Sequence, residues 1–159
     1  MSADGTVPKP IVAKGVQGAL DLAGRDLGWS EWMLVDQDRV DRFAEATGDH
    51  QWIHVDPQRA ANGPYGGTIA HGYLTLSLMP IFMGRLLAFE GFSMGVNYGT
   101  EKVRFPAPVR VGSRVRGGAV VGTVKEVPGG VHLETTLTVQ VEDEPKPACV
   151  AVLLSRRYV

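Results

Sequence analysis

The run from Ile69 to Leu87 is the longest hydrophobic stretch of the chain, and its apolar side chains recur on every side of a helical wheel. A helix that is apolar all round is typical of a buried helix. A membrane span is disfavoured, because His71, Pro80 and Arg85 interrupt a run that is already near the minimum length. The pattern therefore predicts one long buried helix, kinked at Pro80, whose ring crowds the preceding turn.

The hydrophobic period changes after this helix. Between Val131 and Glu142 apolar and polar residues alternate strictly, the pattern of a strand with one buried face. Further strands are predicted within 94–111, 114–127 and 148–154, and the last of these is apolar on both faces, as in a central strand. Helices that precede strands joined by short turns predict an α+β fold, with an antiparallel sheet packed on the long helix.

The first part of the chain predicts less structure. We expect residues 1–28 to form a partly disordered N-terminal lead-in and residues 29–159 to form a single domain. Asp36 is a predicted N-cap for a helix over 37–47, which Gly48 ends. Residues 49–62 are predicted to be irregular, apart from one helical turn that starts at Pro57.

Composition restricts the class of protein. The chain has 159 residues, 44% of them hydrophobic and 21% charged, and a net charge of −1, so neither nucleic acid nor an anionic membrane surface is an expected partner. The single cysteine, Cys149, excludes an intramolecular disulfide and lies in an apolar run, where an inert buried thiol is expected. The first ten residues lack the apolar core of a signal peptide, and we expect a cytoplasmic protein.

Side chains capable of acid–base chemistry cluster between the helix predicted over 37–47 and the start of the long helix. They are Asp49, His50, His54, Asp56 and His71. A short loop would bring the carboxylate of Asp49 and the imidazole of His54 into one space, and such groups sharing a water form an acid–base pair at neutral pH. The free N–H groups near His71 and Gly72 would stabilise a developing oxyanion. This combination suits addition of water to an activated double bond, or the reverse.

Simpler interpretations of the same residues remain open. Asp49 is typical of a turn residue that bonds its own backbone, and either histidine is compatible with a purely structural role. His50 and His54 are spaced to bind a metal on a helix, but Gly48 and Pro57 disfavour a helix there, so no metal is predicted. The glycines at 66, 67 and 72 fit no phosphate-binding loop, and no cofactor is predicted.

Two segments carry a family resemblance: TGDHQWIHVDP at 47–57 and GPYGGTIAHG at 63–72. With NYG at 97–99, KVRFPAP at 102–108 and VGS at 111–113, they resemble the MaoC-like dehydratases, the (R)-specific enoyl-CoA hydratase family. The chain is most similar to the small single-domain branch, which includes nodulation protein N-like proteins and mycobacterial-type acyl dehydratases. The resemblance covers roughly residues 36–159 and implies a hot-dog fold, an antiparallel sheet wrapped around one long helix, paired into a homodimer.

The resemblance also implies roles for individual residues. Asp49 and His54 match the catalytic aspartate and histidine, and Gly72 matches the residue whose backbone N–H holds the thioester oxygen. Three residues are predicted in the substrate pocket: Trp52, for which simple packing is the equal alternative, His71 and Tyr65. The chain departs from the family at Gln51-Trp52, where Asn-Pro is frequent, but it keeps the spacing of the catalytic pair.

We therefore expect reversible hydration of trans-2-enoyl thioesters to (3R)-3-hydroxyacyl thioesters, without cofactor or metal. The substrate carrier is coenzyme A or acyl carrier protein, and either Asp49 or His54 serves as the formal base. Two other classes are compatible with the fold: a thioesterase, which the paired histidine disfavours, and a non-catalytic acyl-binding protein, which the intact pair disfavours.

Overall fold

The structure, a computed structural model, describes residues 9–159, so residues 1–8 of the lead-in expected over 1–28 lie outside the described residues. The strands are β1 (Ile11–Lys14), β2 (Asp26–Trp29), β3 (Met33–Leu34), β4 (Leu87–Glu90), β5 (Met94–Arg104), β6 (Arg114–Val127), β7 (Gly130–Val141) and β8 (Cys149–Tyr158). The helices are α1 (Gly15–Leu20), α2 (Gln37–Thr47), α3 (Trp52–Val55), α4 (Pro57–Ala61), α5 (Gly72–Ser77) and α6 (Met79–Leu86).

The main sheet is antiparallel and curves around the central helical segment. Its order is β2-β6-β7-β8-β5, and β3 also pairs with β6. The alternation read in β7 is confirmed, since Val131, Leu133, Leu137 and Val139 are buried in the core. β8 lies between β7 and β5, as its apolar sequence predicts. The α+β hot-dog prediction is therefore confirmed.

The domain begins earlier in the chain than residue 29. β1 pairs in parallel with β4, and α1 follows directly after β1. Ala19 and Leu22 are almost fully buried, and both belong to the same core as the main sheet. The expected boundary at residue 29 does not match this packing. The short apolar segments of this region gain stability from the helix and sheet they contact, which their own weak sequence pattern does not reveal.

The central helix departs from its prediction in two ways. It consists of α5 and α6 separated at Leu78, and Pro80 occupies the first turn of α6, where a missing N–H costs nothing. Its burial is one-sided: Phe82 is fully buried, but Tyr73 is 72% exposed and Ile81 41% exposed. The expectation of burial all round is wrong for a single copy, because the sheet covers only one side of the helix. Across residues 9–159, no helix is long and apolar enough to cross a membrane.

The cysteine lies where the sequence places it, at the start of the central strand β8. Cys149 is fully buried, and burial raises the pKa of its thiol to about 11. A buried thiol that stays protonated at neutral pH is a poor nucleophile. The expectation of an inert packing residue is consistent with this position.

The segment that carries the polar cluster follows a helix, α2, that is capped at both ends. The Asp36 carboxylate accepts a hydrogen bond from the Arg39 N–H at 3.0 Å, and Gly48 ends α2 with a left-handed φ of 79°. Both caps agree with the prediction. The following residues are more regular than expected, because α3 forms a helical turn before Pro57 starts α4. This turn carries His54 into the interior.

Candidate active site

A cavity of about 350 Å³ opens at the N-terminal end of α5. One wall is formed by Gly72 and Thr75 of this helix, and the facing wall by the segment 105–109 that follows β5. His54 and Tyr65 complete the lining on the side of the loop that precedes α5. The cavity therefore collects several of the residues that the sequence singled out.

His54 is held in one orientation by its own ring nitrogen. Its Nδ1 lies 2.7 Å from the carbonyl oxygen of Ile69, and because a carbonyl can only accept, Nδ1 carries the proton. The neutral ring then has an unprotonated Nε2. The backbone supports this placement, since the Ile69 N–H donates to the Ile53 carbonyl at 3.0 Å. His54 is only 6% exposed, so its proton acceptor, Nε2, is largely shielded from solvent.

Two residues that sequence reasoning missed fix the backbone at His54. Gln37, the first residue of α2, donates from Nε2 to the His54 carbonyl at 2.7 Å. The Oε1 atom of Gln37 accepts a hydrogen bond from the Thr68 hydroxyl at 2.6 Å. Gln37 thereby joins α2, α3 and the strand-like segment before α5. Thr68 lies 31 residues from Gln37 in the sequence, so no local sequence pattern predicts the contact.

Burial lowers the pKa of His54 below its ordinary value of 6.5. The hydrogen bond to the Ile69 carbonyl raises this pKa, the neighbouring His71 lowers it, and the Asp49 carboxylate raises it, but desolvation is the largest effect. At neutral pH the imidazole is therefore uncharged and free to accept a proton.

Asp49 stands at the edge of this site, in the loop between α2 and α3, with an exposed side chain. One of its carboxylate oxygens and one ring nitrogen from each of His54 and His71 all lie within 4.8 Å of one another. A water molecule that makes two hydrogen bonds at a tetrahedral angle joins atoms about 4.6 Å apart. A separation of at most 4.8 Å therefore allows Asp49 and His54 to reach a single shared water.

Gly72 is the first residue of α5 and lines the cavity. An N–H at this position has no acceptor within its own helix. The adjacent carbonyl of His71 is already occupied, since it accepts from the Thr75 N–H at 3.1 Å. The cavity wall formed by Gly72, opposite the ring of Phe105, therefore offers the Gly72 N–H as a hydrogen-bond donor to a bound ligand.

The other predicted pocket residues lie in different places. Tyr65 is part of the cavity lining. Trp52 lies outside the lining and packs against Gly63, with the guanidinium of Arg59 4.4 Å from its ring centre. In a single copy, packing is the role its contacts indicate. His71 also lies behind the cavity, 2% exposed, with its ring stacked on that of His54 at 3.8 Å.

Asp49, His54 and His71 have the composition of a metal site, but the rings are badly arranged for one. The two imidazole rings are stacked with planes inclined by only 25°, so their in-plane lone pairs lie in separate, nearly parallel planes and do not converge on a common point. One nitrogen of each ring is already engaged with a carbonyl oxygen, His54 with Ile69 and His71 with Asp49. Tetrahedral metal binding needs ligand atoms directed at one centre about 2.0–2.1 Å away. The geometry favours acid–base chemistry over metal binding.

Comparison with known proteins extends the sequence resemblance. The chain matches the family described as "MaoC like domain" over residues 20–143. It is 50% identical over 135 residues to 3-hydroxyacyl-thioester dehydratase Z of Mycobacterium tuberculosis (strain H37Rv), a match covering 84% of this chain and 89% of that protein. It is 51% identical over 133 residues to nodulation protein N of Rhizobium leguminosarum bv. viciae, covering 80% and 81% of the two chains.

Solved structures agree at the level of the fold. The (R)-hydratase from A. caviae involved in PHA biosynthesis superposes with a TM-score of 0.65 and 24% identity, over 84% of this chain and 94% of that one. A monoamine oxidase regulatory protein from Archaeoglobus gives a TM-score of 0.74 and 20% identity, over 97% and 99%. At these identities the likeness establishes the hot-dog fold and leaves the chemistry to the residues of the cavity.

Proposed function

Because this chain belongs to the MaoC-like dehydratase family, we propose that it is a hydro-lyase that interconverts trans-2-enoyl and (3R)-3-hydroxyacyl thioesters. The acyl group is carried by coenzyme A or by acyl carrier protein. One observation carries the proposal: a carboxylate oxygen of Asp49 and a ring nitrogen of His54 lie within 4.8 Å, a separation that suits one shared water. His54 lines the same cavity as the Gly72 N–H.

The chemistry follows from the electronics of the substrate. In a trans-2-enoyl thioester the carbonyl withdraws electrons, so C3 is electrophilic. Asp49 and His54 hold one water against C3, and the neutral imidazole of His54 is competent to accept its proton. The new C3–O bond forms as electrons move to the thioester oxygen, where the Gly72 N–H donates a hydrogen bond. A proton then returns to C2, so that H and OH have been added across the double bond.

The reverse reaction uses the same groups. Removal of the C2 proton forms the enolate at the thioester oxygen, and the C3 hydroxyl leaves as water after it has gained a proton. Because the carboxylate and the imidazole act on one water, they operate as a unit. We place this reaction in the cytoplasm, in agreement with a chain whose single cysteine excludes an intramolecular disulfide.

The direct test is hydration of crotonyl-CoA, followed by a panel of longer 2-enoyl-CoA substrates. We expect loss of enoyl absorbance without release of free thiol, and a (3R) product on chiral analysis. Release of free coenzyme A with the enoyl group intact would instead identify a thioesterase. Stoichiometric binding of acyl-CoA without either change would identify an acyl-binding protein.

We also propose that the protein is a homodimer paired through β5. This strand is the last in the sheet order, and its side chains are largely exposed, including Met94 at 53% and Tyr98 at 57%. The outer face of the central helix is exposed as well, through Tyr73 and Ile81. A long uncovered edge strand is normally paired or protected, and pairing two copies removes one edge from each.

Light scattering at micromolar concentration should therefore give twice the mass of one chain. A charge placed on the proposed interface, Tyr98→Glu, should shift the equilibrium towards monomer. Val120→Glu is the matched control, since Val120 is 45% exposed on β6, away from the β5 edge, and should leave the mass unchanged. A monomeric wild-type protein, or equal effects of the two substitutions, would rule out pairing through β5.

A further inference from the structure

His71 contacts both members of the acid–base pair without lining the cavity. Its Nε2 lies 2.9 Å from the backbone carbonyl oxygen of Asp49. Its ring stacks on His54, with centroids 3.8 Å apart and planes inclined by 25°. Phe43 of α2 closes the other side, with ring centroids 4.9 Å apart. A single buried side chain thus touches the two residues whose separation decides whether they share a water.

The hydrogen bond to Asp49 fixes the proton of this ring. A carbonyl oxygen can only accept, so Nε2 of His71 carries hydrogen. His54 has the opposite arrangement, because its Nδ1 donates to Ile69. Among the described residues, Nδ1 of His71 is buried and has no hydrogen-bond partner. The ring is therefore oriented by one polar contact, the bond to Asp49, and by packing against two other rings.

Asp49 needs such a restraint, because its remaining contacts are loose. Its N–H reaches the Thr47 hydroxyl, and its carboxylate accepts from the Gln51 N–H, both at 3.4 Å, near the limit for a hydrogen bond. The bond from His71 is shorter and anchors the Asp49 backbone to the residue that immediately precedes Gly72. A displacement of about 1 Å in a reacting group can cost about 10²-fold in rate.

We propose that His71 is a positioning residue for the hydration reaction, an inference that rests on the proposed function. By bonding the Asp49 backbone and stacking on His54, it sets the distance between carboxylate and imidazole. Because it also leads directly into α5, it sets the position of this pair relative to the Gly72 N–H. His71 acts through these groups and does not contact substrate.

Two substitutions distinguish the contribution of the His71 N–H donor from that of its aromatic ring. His71→Phe keeps an aromatic ring to stack on His54 but removes the N–H donor, whereas His71→Gln keeps a donor of similar reach. We expect His71→Phe to lower kcat by roughly 10- to 100-fold with little change in KM. His71→Gln should recover activity to within about tenfold of wild type. His132→Phe is the matched control, since His132 lies on β7 against Tyr98, and should leave kcat unchanged.

Other outcomes would overturn the proposal. A rise in KM at constant kcat would make His71 a binding residue. If both variants lose melting temperature and active fraction equally but keep a normal kcat per active site, the role of His71 is purely structural. The ¹⁵N shifts of the histidine rings test the geometry without activity: we expect protonated Nε2 in His71 and protonated Nδ1 in His54. If these tautomers are found but the protein lacks hydratase activity, the proposed function is rejected and the hydrogen bond from His71 to Asp49 stands. If His71 is protonated on Nδ1 instead, that hydrogen bond itself is rejected.

Discussion

Asp49→Asn and His54→Asn should each reduce the rate of enoyl-thioester hydration by about 10²- to 10⁴-fold, the range for a positioned acid–base group. Asp49→Asn preserves shape and removes charge from an exposed side chain. His54→Asn removes the Nε2 acceptor while retaining a donor near the Ile69 carbonyl, which His54→Ala would leave without its partner. The double variant should be little worse than the poorer single one, because groups that act on one water are not additive.

The pH dependence gives an independent measure of the same pair. Burial lowers the pKa of His54 below 6.5, so in the folded protein the imidazole stays neutral as the pH falls through 6.5. We expect kcat/KM to fall only at pH values below 6.5 and the acidic limb to disappear in His54→Asn. The unfolded chain binds this proton at higher pH, so the stability contributed by neutral His54 is complete above 6.5 and is lost as the pH decreases.

The measurements for this set are kcat/KM, melting temperature and sensitivity to chelators, on wild type and all variants. His50→Asn is the matched control, because His50 belongs to the same loop, has a side chain that is 48% exposed and pairs only weakly with Glu45 at 3.8 Å. It should keep near wild-type turnover. Near wild-type turnover in Asp49→Asn would end the catalytic assignment of that residue, and loss of wild-type activity on chelation would indicate a metal.

Gly72→Val should leave a folded protein whose activity is down by about 10²-fold or more, the effect of losing one oxyanion donor. The reason is steric. A Cβ atom at this position would lie 3.2 Å from two ring atoms of Phe105, so the valine side chain would compete with the acyl group and Phe105 for one space. The thioester oxygen would no longer approach the Gly72 N–H, and kcat should fall more than KM rises.

Phe105 provides the control for this experiment. Phe105→Leu removes the ring that the new side chain would meet, and the double variant tests whether that clash alone is responsible. If Gly72→Val acts on the oxyanion donor, the double variant should remain as slow as Gly72→Val. Full recovery in the double variant, or retained activity in Gly72→Val with a normal circular dichroism spectrum, would place the oxyanion donor elsewhere.

Much of this protein is determined by the sequence over short distances. The bounds of α2 follow from Asp36 and Gly48, and β7 follows from the alternation of apolar and polar residues along it. These features are local because a cap or a pleated strand is decided by neighbouring residues. The family resemblance adds Asp49, His54 and Gly72 as site residues, and the structure brings these three together around one cavity and its edge.

Tertiary structure decides what these local patterns leave open. The outer face of the central helix also carries apolar residues, and only the packing against the sheet determines that Tyr73 and Ile81 remain uncovered. Residues before position 29 join the core because β1 finds its partner in β4, far along the chain. Apolarity indicates that a surface is to be buried, but the packing partner is chosen by the whole fold.

The arrangement of the site shows the same division. Sequence supplies candidates for the chemistry but misses the groups that hold them, namely Gln37 and Thr68, and it assigns His71 to the pocket wall rather than behind it. These groups act through hydrogen bonds that span 17 to 31 residues, such as Gln37 to His54 and Thr68 to Gln37. A side-chain hydrogen bond requires two atoms within about 3 Å in the right direction. For groups so far apart in the chain, only the complete packing of helices against the sheet fixes that distance.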